Sequence, residues 1–241
     1  MSNVVIIGKE LPDNLEFAET FASKGKAVFV TAKNESESAN FESENIFATT
    51  WNKASAISAH SLIIKAETKL TNIEEVLFYF DAYSFAAKYE LDKSEEISSA
   101  VDSMINSYLY GCSELLKRID QIKDKVFVSF LIREYPSKCE ALSLKTPISS
   151  PSNTVVSAAQ AAFISIAESF AMNIRERPYL SVFLAKCPFN SELYKNEKAI
   201  AEWMNDSIEA IKNLKKPLNV KQSTVWNKVG GKLSTGFSLF R

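Results

Sequence analysis

Glycine is scarce. Six occur in 241 residues, where average usage of about 7% would supply roughly seventeen. Folds that cradle phosphates spend glycines on close backbone approach, so the shortage argues against a glycine-lined cofactor cleft. His60 is the single histidine. A zinc site or a Ser-His-Asp triad would have to be built around that one residue. It falls in a helical stretch, 53–70, and reads as a surface or hydrogen-bonded histidine, with no metal site. The three cysteines, Cys112, Cys139 and Cys187, are odd in number and lack paired spacing, which points to reduced thiols and a cytoplasmic protein. No stretch approaches the ~20 apolar residues of a membrane span. The opening Val4-Val5-Ile6-Ile7 is too short for a signal segment and lacks a basic flank. A net charge of −1 gives no general attraction to nucleic acid or anionic membrane, so neither is expected as a partner.

What is present is an alternation of elements. Residues 4–7 are a short apolar run ending at Gly8. Leu15, Ala18, Phe21 and Ala22 follow with helical spacing, and Gly25 closes that helix. Ala27-Val28-Phe29-Val30 is a second β-rich run. Strand, helix and strand within 4–33 make a βαβ unit, which demands a parallel sheet and a right-handed crossover. The pattern continues with strands at 45–48, 76–80, 125–132, 180–184 and 224–229. Helices are expected at 53–70, 94–119, 154–174 and 191–214. The polar stretch 134–153 holds Pro136, Pro147 and Pro151 and reads as a loop. The expected fold is therefore α/β, a Rossmann-like, doubly wound, mostly parallel sheet in a single domain over 1–241, with a C-terminal tail at 230–241.

This order resembles the short-chain dehydrogenase/reductase family over nearly the whole chain. Gly8 lies on the first glycine of that family's nucleotide turn, and Gly25 on the glycine that ends its first helix. Val28-Phe29-Val30-Thr31-Ala32-Lys33 looks like the second strand with the basic residue that often marks a preference for NADP. Phe80-Asp81-Ala82-Tyr83 lies on Asn-Asn-Ala-Gly, Asn106 on the tetrad asparagine, and Gln160-Ala161-Ala162-Phe163 on the active-site helix. Val229-Gly230-Gly231 resembles the late Val-Asp-Gly-Gly, without its aspartate. If a nucleotide binds at all, the resemblance assigns Gly8, Thr31 and Lys33 to it, with NADP as the cofactor.

The departures are concentrated at functional positions. Pro12 and Asn14 stand where the second and third motif glycines belong. Proline has no N–H to offer a pyrophosphate, and Asn14 would put a side chain where the phosphate lies. The family's Tyr-x-x-x-Lys needs a phenol as proton donor and a lysine to lower its pKa; Val156 and Gln160 stand there instead. The serine should fall near Phe130-Leu131, with Ser129 the nearest hydroxyl. Asn106, without its partners, is a relic of the tetrad at a helix kink. The pairs Tyr89/Lys93 and Tyr194/Lys198 have the right spacing but lie off the active-site helix.

The expected function is a non-catalytic protein of this type, acting by self-association or partner binding, without redox chemistry or cofactor. A divergent NADP-dependent oxidoreductase and a nucleotide-sensing pseudoenzyme are the alternatives. A homodimer or homotetramer is expected through helices 94–119 and 154–174, the latter showing a small-residue face at Ala158, Ala161 and Ser165. From Lys212 to Arg241 there are seven cations and no acid, a segment suited either to solvent or to an acidic partner. The apolar tail 237–240 reads as packing on its own domain or a neighbouring subunit.

Overall fold

A computed structural model describes residues 2–39, 44–86, 94–144, 147–148 and 151–233. Among these, seven strands form one parallel sheet: β1 (Asn3–Leu11), β2 (Ala27–Ala32), β3 (Ile46–Thr49), β4 (Glu75–Asp81), β5 (Val126–Arg133), β6 (Leu180–Cys187) and β7 (Trp226–Lys228). Their order is β3-β2-β1-β4-β5-β6-β7, all neighbours parallel. The α-helical segments among the described residues are α1 (Leu15–Ser23), α2 (Glu35–Ala39), α3 (Ala56–Leu70), α4 (Ala82–Phe85), α5 (Ser94–Val101), α6 (Ser107–Ile122), α7 (Lys138–Ala141), α8 (Thr154–Ala171), α9 (Glu197–Lys212) and α10 (Val220–Ser223). The Rossmann-like reading holds.

The central strands are mostly apolar and almost wholly buried because helices cover both faces of the sheet. Every residue of β4 and of β5 is buried. On one face α1 packs with α9; on the other α6 packs with α3 and α8. Phe78, Phe80, Tyr108, Phe130 and Phe163 make a continuous set of ring contacts under α6 and α8. Strand order reverses between β1 and β4, and the C-terminal ends of those strands flank the crevice where ligands settle in open α/β sheets.

Several boundaries differ from the sequence reading. β1 extends four residues past Ile7, with its register against β2 broken between Ile6 and Leu11. The helix expected at 53–70 starts at Ala56, because the Ser55 side chain accepts from the Ser58 N–H and caps it. The helix expected at 191–214 starts only at Glu197, capped by Asn196. Inside the loop 134–153 lies the single turn α7, held by a capping box of Ser137 and Glu140. α5 and α6 are one helix interrupted by a π-turn over Asp102–Asn106. With the 3₁₀ turn after it (Met172–Arg175), α8 is long and apolar enough by composition to cross a membrane, contrary to the sequence expectation. One face of it is core, with Val156, Ala159, Phe163 and Ala167 fully buried.

Candidate functional site

The crevice between β1 and β4 is built from four ionised side chains. Lys9 follows Gly8 on β1, Asp81 ends β4, Arg133 ends β5, and Glu197 opens α9. Parallel pairing sets Asp81 opposite Arg133, and the start of α9 brings Glu197 over both. Lys9 Nζ lies 3.0 Å from Asp81 Oδ2 and 2.5 Å from Glu197 Oε1. Arg133 Nη1 lies 3.2 Å from Asp81 Oδ2 and also donates to Glu197 Oε1. Tyr79 OH donates to Glu197 Oε2 at 3.2 Å. Two cations face two carboxylates, so the cluster is neutral. Side-chain exposure is 6% for Lys9, 8% for Arg133, 2% for Asp81 and 16% for Glu197.

Aromatic rings complete the enclosure. The Arg133 guanidinium lies 4.6 Å from the Tyr194 ring centre and 5.3 Å from that of Tyr83, within cation–π range. Burial of the Arg133 guanidinium opposes its charge, but Asp81, Tyr79 and Glu197 outweigh that and raise its pKa. Burial, reinforced by Asp81 and Glu197, raises the Tyr79 phenol well above the usual range. Burial likewise raises Tyr194, with Arg133 opposing and Asp81 adding to the shift. Asp81 Oδ1, Arg133 Nε and Tyr194 OH are buried without a hydrogen bond to the described chain.

Gly8 lies in this wall at φ +116°, and a Cβ there would stand 2.3 Å from Tyr79 O and 2.4 Å from Tyr108 Oη. Tyr108 OH donates to that same carbonyl at 2.9 Å. The glycine is required by close packing of the chain on itself. The remaining cavity beside it is about 130 Å³, below the ~300–1,000 Å³ of ordinary small-molecule sites. Its rim lysines already hold carboxylates of the chain. Lys33 pairs with Asp13 at 2.7 Å and Lys53 with Glu10 at 2.8 Å. Asp13 stands one residue before the cap of α1, where the helix N-terminus would favour an anion.

The other sequence-assigned residues distribute as follows. Thr31 is fully buried and its hydroxyl has no partner among the described residues, so it faces the interior. Asn14, expected to point at the phosphate position, is also fully buried, its amide turned inward without capping α1. Pro12 follows a cis peptide bond. Asn106 ends the π-turn as expected of a kink, but its side chain donates to Asp102 Oδ1 at 2.7 Å and not to the helix backbone. Val156 is fully buried. Gln160 clamps the Tyr135 backbone, accepting from its N–H at 2.9 Å and donating to its carbonyl at 3.0 Å. Ser129 is mid-strand and buried, opposite Leu77 and Phe183; the residue that reaches the crevice from β5 is Arg133. Tyr194 is in the crevice, but Lys198 is exposed, so that pair does not assemble. Tyr89, Lys93 and the tail 237–240 lie outside the described residues. His60 is on the surface, 3.1 Å from Glu114, and no metal-binding cluster occurs among the described residues.

Sequence reasoning missed the four-residue ion cluster. Its only signal was charged residues, Asp81 and Arg133, ending two mainly apolar strands. It also missed a groove of about 640 Å³ beside Gln160, in which burial raises the pKa of Glu134.

No protein-family model and no curated protein matches the sequence. Solved structures match it in fold. A short-chain dehydrogenase from Mycobacterium smegmatis superposes with a TM-score of 0.68 at 10% identity, over 96% of this chain and 92% of that one. A short-chain dehydrogenase/reductase from Serratia marcescens, solved as a mutant, gives 0.61 at 13%, over 95% of both. One from Vibrio parahaemolyticus gives 0.56 at 16%, over 85% and 91%. The chain has the short-chain dehydrogenase/reductase fold.

Proposed function

We propose that this chain is a short-chain dehydrogenase-like protein that performs no hydride transfer and acts by association, its dinucleotide crevice closed by its own side chains. The observation that carries this reading is the Lys9–Asp81–Arg133–Glu197 cluster. A nicotinamide dinucleotide would need the space that these four side chains fill, and Lys9, Lys33 and Lys53 would have to release chain carboxylates to hold its phosphates. The residues present do not fit the cofactor. At the positions of the family's tyrosine and lysine, Val156 is core and Gln160 secures a loop, so neither proton donor nor lysine is available there.

An oxidoreductase with relocated groups would need another phenol as proton donor, such as Tyr194, whose ring lies 4.6 Å from the Arg133 guanidinium. Burial makes that phenol a weaker acid, which disfavours it as a proton donor at neutral pH. Titration of the protein with NADPH and NADH, followed by calorimetry and by thermal melting, tests the proposal. Neither heat nor a rise in Tm is expected at millimolar cofactor.

Association is proposed to use α6 and α8. In the resembled family the corresponding helices pair across a two-fold axis. Here Leu109 is 45% exposed, and a groove of about 450 Å³ runs between Ile105 and Leu109 on one helix and Ala162, Ser165 and Ile166 on the other. Ala158, Ala161 and Ser165 are exposed, and small residues allow close helix approach. Sedimentation at micromolar concentration should give two or four times the 26.9 kDa chain mass, and Ser165→Arg should return it to the monomer value. A monomeric wild type removes this part of the proposal. The three cysteines, free in the structure, suit a reducing, cytoplasmic setting.

A further inference from the structure

A groove of about 600 Å³ opens at the end of the sheet opposite Gly8, where β4, β5 and β6 begin and α9 ends. Its floor is apolar. Phe127 and Ile211 are buried, and Leu214 and Leu218 pack partly buried along the segment that follows α9. Phe127 pairs in register with Ser181. Both members of this large and small pair line the hollow, beside Ile211 and Lys212 at the end of α9. Its volume lies in the ~300–1,000 Å³ range of small-molecule sites.

The rim is cationic. Lys125 and Lys215 are exposed, line the groove and form no ion pair among the described residues. Lys212 also lines it, but is committed to Glu75 at 2.7 Å and Glu209 at 3.6 Å. Glu74 is the only carboxylate among the described residues of the lining. The mouth therefore holds one uncompensated positive charge above an apolar floor. The acid-free segment from Lys212 onward supplies Lys212 and Lys215.

We propose that this groove binds a free amphiphilic carboxylate, a medium-chain fatty acid, with its alkyl chain along Phe127, Ile211, Leu214 and Leu218 and its head group at Lys125 and Lys215. The site is distinct from the crevice and independent of whether a dinucleotide binds there. Calorimetric titration with octanoate, decanoate and laurate at low ionic strength, below micelle formation, tests it. One-to-one saturable binding is expected, tightening about three- to fourfold for each methylene buried. Dodecanol should bind at least about fivefold more weakly than laurate, and Lys125→Glu/Lys215→Glu should weaken laurate by a similar factor, with the melting curve unchanged because both lysines are exposed. Absence of saturable binding overturns the proposal. So does an affinity indifferent to chain length or to the double substitution, or binding to anionic vesicles without binding to free laurate.

Discussion

Arg133→Met removes one of the two cations in the crevice cluster and keeps most of the side-chain volume. Asp81 and Glu197 are then left facing Lys9 alone. Breaking a buried ion pair by deleting one partner costs about 3–5 kcal/mol, because the remaining charge is neither hydrated nor paired. Asp81 is 2% exposed and cannot recover water, whereas Glu197 at 16% recovers some. The lower end applies, about 3 kcal/mol. In a chain of this size each kcal/mol moves Tm by about 2–4 °C, so the single variant should melt roughly 6–12 °C below wild type. Arg133→Met/Glu197→Gln removes one charge of each sign and leaves Lys9 and Asp81 as a neutral pair. Its cost should fall to about 1 kcal/mol, so the double variant should be more stable than the single. Urea denaturation followed by circular dichroism measures both. A single variant within about 1 kcal/mol of wild type, or a double variant no more stable than the single, would mean that these charges do not form one closed unit.

Gly8→Ala should destabilise by about 3 kcal/mol or more, since it forces a side chain into the left-handed region and against the Tyr79 carbonyl; the denaturation midpoint reads this, and a neutral effect would mean that Tyr108 and β4 do not pack as described. Glu134 carries a pKa raised by burial. A carboxyl that binds its proton more tightly in the folded state favours folding below its unfolded pKa, and that contribution is lost as pH rises through the folded pKa. Glu134→Gln should therefore raise Tm at pH 7 and give no advantage at pH 4; an equal effect at both pH values would rule out burial of the charge as the cause.

The alternation of apolar runs made the fold legible, because a parallel sheet covered on both faces requires buried strands such as Val76–Phe80 separated by amphipathic helices. Element ends were less legible. Ser55 and Asn196 start their helices through side-chain bonds that periodicity does not register, and β1 continues past Gly8 because its last residues pair irregularly with β2. The residue types at Pro12, Val156 and Gln160 could be read locally, since each is a single residue at one position. The closed cluster could not be read that way. Lys9, Asp81, Arg133 and Glu197 are separated by 52–188 residues where they pair, and only the strand order brings them together. Asn14 shows the opposite failure: its position was legible, but the inward turn of its side chain was not.

If the crevice is filled by the chain's own side chains, calorimetric titration of the wild-type protein with NADPH should give no saturable heat up to millimolar cofactor. Saturable one-to-one binding in the low micromolar range would contradict this, because Lys9, Asp81, Arg133 and Glu197 would then have to part to admit a dinucleotide.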